Sequence, residues 1–283
     1  MQGSESITKA GFMTNPAIKR LKKIVSDEQS STTATYAGVA AKTVFFLILT
    51  FCGVAAYYIL AQIFANSGSE IIKAASNNGV FEIEITVRGA MVLAGAGVVT
   101  LVTAFLSVFI TSIVPVTGTL YVLGEGYLLA FVTDALAEEF KWMGFTALLL
   151  TILIVLTLLL LYSNNKIKVG HKFKAVISTV FIVLIVGSLL SFIFSLIPGL
   201  NKISQMMQYV MANPVISLAM SAFFVLLACM FLVSDFDNVR AMVDNRMPKK
   251  YEWACAFGIA YTVLYLYLKI LQLLIEIFGK KSD

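Results

Sequence analysis

Runs of apolar residues, each about 20 long, recur along this chain from residue 41 to residue 278. Nothing else in the sequence restricts the fold as strongly. A helix of that length crosses a hydrocarbon core of about 30 Å. The rest of the composition agrees, since 59% of the 283 residues are hydrophobic, only 13% are charged, and the mean hydropathy is +0.89. A soluble domain of this size carries roughly a quarter charged residues. The sequence therefore describes an all-α polytopic membrane protein embedded in a lipid bilayer.

Seven spans are expected, at residues 41–64, 89–113, 117–136, 145–162, 175–197, 215–236 and 252–278. Only Val114, Pro115 and Val116 separate the second from the third, and proline supplies the punctuation a tight turn needs. Residues 1–39 are polar, with a basic cluster at Lys19, Arg20, Lys22 and Lys23, and read as a partly disordered cytoplasmic tail ahead of a transmembrane domain over 40–283. No cleavable signal pattern is expected there.

Charge sets the orientation. With the N-terminus inside, thirteen Lys and Arg residues fall in inside segments and six outside. That is the positive-inside asymmetry, and an odd number of spans then leaves the C-terminus outside. The net charge of +5 belongs to this topology; no basic patch with interleaved aromatics points to nucleic acid. Cys52, Cys229 and Cys255 all lie in apolar runs and are expected as buried free thiols. Small residues, Gly89 to Gly97 in the second span and Gly118, Gly124 and Gly126 in the third, are expected to let helices approach closely.

Ionisable groups inside apolar runs are costly and are functional candidates by default. Glu125, between Gly124 and Gly126, is the deepest acid; ionised, it needs a cation, a water cavity or a partner. Asp235 and Asp237 lie near the inner end of the sixth span and, two apart, point to different sides of a helix. Asp235 is expected as a helix-end acid near the headgroups. Arg240, one turn beyond Asp237, is a possible partner for it. Glu252 opens the seventh span, where an acid at a helix N-terminus is favourable anyway. Lys42 is expected to snorkel toward the surface. Lys269 lies deeper, without the counter-ion context of a retinal protein. Catalysis finds no candidates, because the lone histidine, His171, sits on a basic connector and cannot build a zinc site or an intramembrane dyad. No enzyme activity, cofactor or firm metal site is expected.

Several of these features together resemble the Bax inhibitor (transmembrane Bax inhibitor motif) family. They are Phe236-Asp237-Asn238 followed by Tyr251-Glu252-Trp253, Glu125-Gly126 in the third span, and the opening Asn15-Pro16-Ala17-Ile18-Lys19-Arg20-Leu21, similar to a bacterial branch. The resemblance implies a central hydrophobic seventh helix wrapped by six others. It also implies a pH-sensitive calcium leak gated by two aspartates, one on each of the last two spans, that share a proton. Asp237 matches the first. The second is unmatched, because the seventh span reads Ala260-Tyr261-Thr262-Val263 there. Asp235, Glu252 or Glu125 could substitute.

The expected function is thus a calcium or cation leak channel or exchanger in the plasma membrane, with Asp237, Asp235 and Glu125 as the pH gate and ion pathway. Arg240, Glu252 and Lys269 are possible charge partners, and a weak calcium site at Asp237 is allowed. Two rivals remain open. One is a non-conducting protein that binds or regulates membrane proteases or other membrane proteins. The other is a proton-coupled solute transporter working through Glu125. Oligomeric state is not read from the sequence.

Overall fold

The computed structural model describes residues 33–66, 72–77, 80–136, 141–164, 166–167, 169–196 and 213–278. The expected tail, including its basic cluster and the motif at 15–21, lies outside the described residues, as does the side chain of His171. Seven α-helices are present among them: α1 Tyr36–Asn66, α2 Val87–Phe109, α3 Val114–Asp134, α4 Trp142–Ser163, α5 His171–Leu196, α6 Pro214–Asp244 and α7 Tyr251–Phe278. All but α5 are long and apolar enough over the described residues to cross a membrane. In α5 the described apolar stretch is Ala175–Leu184, shorter than the span expected at 175–197.

One element departs from an all-helical reading. Between α1 and α2, β1 Ile72–Asn77 and β2 Val80–Ile85 form an antiparallel hairpin, with Ile72 opposite Ile85 and Asn77 opposite Val80. The run Phe81-Glu82-Ile83-Glu84-Ile85 alternates apolar and acidic residues, the period of a strand rather than a helix.

Helix boundaries follow local chemistry. Thr86 accepts from Gly89 N (3.2 Å) and Asn213 from Val215 N (3.0 Å), capping α2 and α6; Pro214 takes the first helical position of α6, where its missing N–H costs nothing. A 3₁₀ turn, Thr111–Ile113, joins α2 to α3, with Pro115 in the first turn of α3. The expected break is thus real, though α3 starts at Val114. Helix α6 ends in a Schellman motif. Met247 N donates to Met242 O and Arg246 N to Val243 O, both at 3.0 Å. Arg246 occupies the left-handed position with φ 50°.

The contacts fix helix directions. α1 and α3 run parallel, packed so closely that a Cβ on Gly53 would strike the Leu123 carbonyl and one on Gly126 the Thr50 carbonyl. α7 runs the same way, with Phe46 and Tyr121 edge-on to Phe257. α2 is antiparallel to α3, through Ser107–Thr117 (2.7 Å) and Thr100 against Gly124. α4 and α6 are also antiparallel to α7, through Trp142–Phe278 and Ser217–Glu276. α5 packs on α6. The core centres on α7 and α3, of whose spans 44% and 50% are buried, against 17–22% in the other four. So α7 is interior as expected, but it shares the interior with α3.

Two packing expectations change. Gly95 and Gly97 face open space among the described residues, so the glycines of α2 beyond Gly89 do not make a packing face, whereas Gly118, Gly124 and Gly126 do. Cys52 is exposed on α1 rather than buried, while Cys229 and Cys255 are half-buried; all three are free. The outward faces of α1, α2 and α4 carry exposed Ile, Leu, Val and Phe, the surface a bilayer solvates.

Candidate functional site

The polar groups inside the bundle converge on α7 at two levels. At residues 258–262, Asp235 reaches across from α6. Its Oδ2 accepts from the Thr262 hydroxyl at 2.6 Å, and Oδ1 comes within 3.8 Å of where a Cβ on Gly258 would stand. Gly258 and Thr262 are one turn apart and share the face that the carboxylate packs against. Asp235 is therefore not a helix-end acid near the headgroups. α6 continues to Asp244, more than two turns further, so the acid sits inside the helix against its neighbour.

Glu125 meets the same level of α7 from the other side. It lies among Tyr121 and Tyr261, whose rings are 5.5 Å apart. The tetrapeptide Ala260-Tyr261-Thr262-Val263 thus meets both acids, Thr262 by a hydrogen bond to Asp235 and Tyr261 through the electrostatic influence of Glu125.

Asp237 faces α4 instead. The Tyr162 hydroxyl donates to its Oδ1 at 3.0 Å, and Tyr162 also interacts with Arg240. Arg240 Nε lies 3.7 Å from Asp244, one turn on. Asp235 and Asp237 therefore do point to different sides. Between them, the acid that ties the last two helices together is Asp235, through Thr262.

The second level is the start of α7. Glu252 is fully buried and ion-paired with Lys42 of α1, whose side chain is 16% exposed and lies over Trp253 at 5.3 Å. Lys42 does not snorkel. Glu252 also accepts from Thr35 N (2.9 Å) and Thr35 Oγ1, while that hydroxyl caps α1 by accepting from Gly38 N (3.0 Å). A Cβ on Gly38 would collide with the Glu252 carboxylate. Just upstream, Ala34 N donates to Met247 O (2.9 Å), and Thr33 bridges to Pro248. Glu252 is thus committed to an α1–α7 clasp, not to the acids at the 258–262 level.

Lys269 is placed elsewhere as well. It lies two turns beyond Thr262, donating to Gln272 at 3.0 Å. Among the described residues no three His, Cys, Asp or Glu side chains converge as a metal site, so an ion here would rely on hydroxyls, carbonyls and water beside one carboxylate.

Thr262, Tyr261 and Tyr162 are the site residues that reading from charge alone overlooks, and Lys42 is the charge whose partner it misses. The hydroxyl of Thr262 was visible one helix away from two acids; only the helix register says which acid it meets.

No match appears among curated proteins or among solved structures. A family model described as Bax inhibitor 1 like matches residues 15–279, a range that takes in Glu125, Asp235, Asp237 and the clasp at Glu252. By that match, and by a multi-pass bundle with acids set against its last helix, the chain belongs to the Bax inhibitor 1 like family.

Proposed function

We propose that this multi-pass membrane protein is a pH-sensitive leak channel or exchanger for cations, calcium foremost, in the plasma membrane of a bacterium. It needs no cofactor and performs no covalent chemistry. The observation that carries the reading is Asp235 joined to Thr262 between the last two helices at 2.6 Å. A carboxylate in that place changes charge when it takes a proton, and the same charge is what attracts a cation. Thr262 supplies a hydroxyl where a second acid is absent, so the carboxylate accepts a hydrogen bond from a neutral donor in place of sharing a proton with another acid. Calcium tolerates a loose, partly hydrated oxygen shell, which suits a leak with one carboxylate at the constriction. Asp237 offers a second charge on the adjacent side of α6, and Glu125 a third beyond α7.

The reading includes seven spans. α4 and α6 run in the same direction, so the chain recrosses the bilayer between Ser163 and Pro214. α5, with 26 residues, is about 39 Å long, enough for the crossing. The excess of basic residues puts the α1 start and the α6–α7 connector inside and the end of α7 outside.

The test is calcium entry into dye-loaded proteoliposomes, scanned from about pH 5 to 8, the range a buried carboxylate reaches. Parent protein is expected to give a flux that changes with pH, and Asp235→Asn a flux that does not. Asp237→Asn is expected to alter its size and pH dependence less. No flux above empty liposomes at any pH would move the assignment to the second reading, a non-conducting protein that binds membrane proteases or other partners. The neutral Thr262 in place of a second acid favours that reading.

A further inference from the structure

The far end of α6 and α7 holds a polar group that the leak does not use. Glu276 Oε1 accepts from Ser217 Oγ of α6 (2.8 Å) and from Gln272 Nε2 (3.3 Å). Its Oε2 is buried and has no hydrogen-bond partner among the described residues. Lys269 Nζ donates to Gln272 Oε1 (3.0 Å) and rests over the rings of Phe224 (4.9 Å) and Tyr265 (5.6 Å). Gln272 therefore stands between the two charges and keeps them apart. All three polar side chains line a cavity of about 470 Å³ whose walls are Val132 of α3 and Leu268 and Ile275 of α7.

Depth in the bilayer can be placed. Trp142, 48% exposed, packs edge-on against Phe278 at 5.5 Å, and a half-exposed indole at a helix end marks the headgroup level. Glu276 is two residues from Phe278. Lys269 is rooted about 10 Å deeper than Glu276 along the helix, and its ammonium, over Tyr265 and Phe224, is linked upward to Gln272 Oε1. The cavity thus presents a positive charge below and a negative charge above, with apolar walls.

We propose that this cavity binds the headgroup of an aminophospholipid of the phosphatidylethanolamine type. In that headgroup the phosphate lies on the hydrocarbon side and the primary ammonium on the water side, separated by a short ethylene spacer. Lys269 takes the phosphate, and the Glu276 carboxylate, turning its enclosed Oε2 into the cavity, takes the ammonium. A bare cation is disfavoured by Lys269 and a simple anion by Glu276; a zwitterion in this order satisfies both. A primary ammonium supplies the N–H donor that Oε2 needs, which a choline headgroup lacks and a glycerol headgroup does not supply as a cation.

The test is lipid retention by the purified full chain, read by native mass spectrometry and by thermal stabilisation in detergent. The probes are phosphatidylethanolamine, phosphatidylcholine and phosphatidylglycerol of one acyl composition. Phosphatidylethanolamine is expected to bind about tenfold more tightly than the other two, the scale of one charge-assisted hydrogen bond, and Glu276→Gln to erase the difference. Lys269→Met is expected to weaken phosphatidylethanolamine and phosphatidylglycerol alike. Equal binding of the three lipids by the parent would overturn the proposal, and so would a preference kept by Glu276→Gln. Free ethanolamine phosphate binding as tightly as the lipid would overturn the assignment to a lipid. Should Glu276→Gln fail to fold, the parent's preference for ethanolamine over choline decides alone.

Discussion

Glu252 has no exposed surface, and its ion-pair partner is Lys42, with Lys249 adding a weaker attraction. Removing one partner of a buried pair leaves an uncompensated charge at a cost of about 3–5 kcal/mol. Lys42→Met is therefore expected to lower the unfolding midpoint sharply in detergent. Lys42→Met with Glu252→Gln, which leaves no buried charge, is expected to recover most of the loss; a double variant no better than the single would show that the pair is not what holds α1 to α7. Glycines give a second contrast at this scale. A Cβ at Gly126 meets the Thr50 carbonyl, so Gly126→Val is expected to separate α1 from α3 and abolish the folded species in size-exclusion chromatography. Gly95 faces open space, and Gly95→Ala is expected to leave stability unchanged or raise it by up to about 1 kcal/mol. The sequence marked Glu252, Lys42 and both glycines, yet it could not separate these cases. Residue type states the cost of burial, and only the neighbour across the helix interface states whether it has been met.

At the scale of elements, the proposed working part is the joint between α6 and α7. Thr262→Val keeps the shape of the side chain and removes the hydroxyl that Asp235 accepts from. It is expected to shift the pH dependence of calcium flux, while Thr262→Ser retains the parental profile. Identical profiles for the parent and Thr262→Val would dissociate the α6–α7 contact from gating. The turn that follows α6 carries its own strain. Arg246 is exposed and adopts φ 50°, a position where a side chain costs about 1–2 kcal/mol and glycine nothing comparable. Arg246→Gly is expected to raise the unfolding midpoint without changing flux, a gain visible in a thermal scan. The helices themselves were legible as long apolar runs. The hairpin between α1 and α2 was written in an alternating segment that a search for spans passes over.

For the whole molecule, direction and sidedness are the measurable claims. α1, α3 and α7 run one way and α2, α4 and α6 the other, so single cysteines placed near Thr35 and beyond Phe278 in a chain whose native cysteines are replaced are expected to label from opposite faces of sealed cells. Labelling of both from one face would contradict the parallel run of α1 and α7, in which Thr35 meets Glu252 at the start of α7. The packing also explains why two helices, not one, are interior. α7 carries bulky apolar and aromatic residues around much of its circumference. α3 carries glycines at 118, 124 and 126 that let α7, α2 and α1 close on it.

Membrane insertion, the number and length of the apolar runs, the break at Pro115 and the presence of acids where acids are costly were determined by the sequence alone. Each depends on the composition of one continuous segment and on the price water and lipid set for it. Which acid meets the last helix was decided by the tertiary structure. Asp235 and Asp237 are chemically identical and two residues apart. About 200° of helical rotation between them sends one to Thr262 and the other to Tyr162. No local pattern encodes that choice, because it depends on how α6 is rotated between α4 and α7, and that rotation is set by packing along the full length of all three.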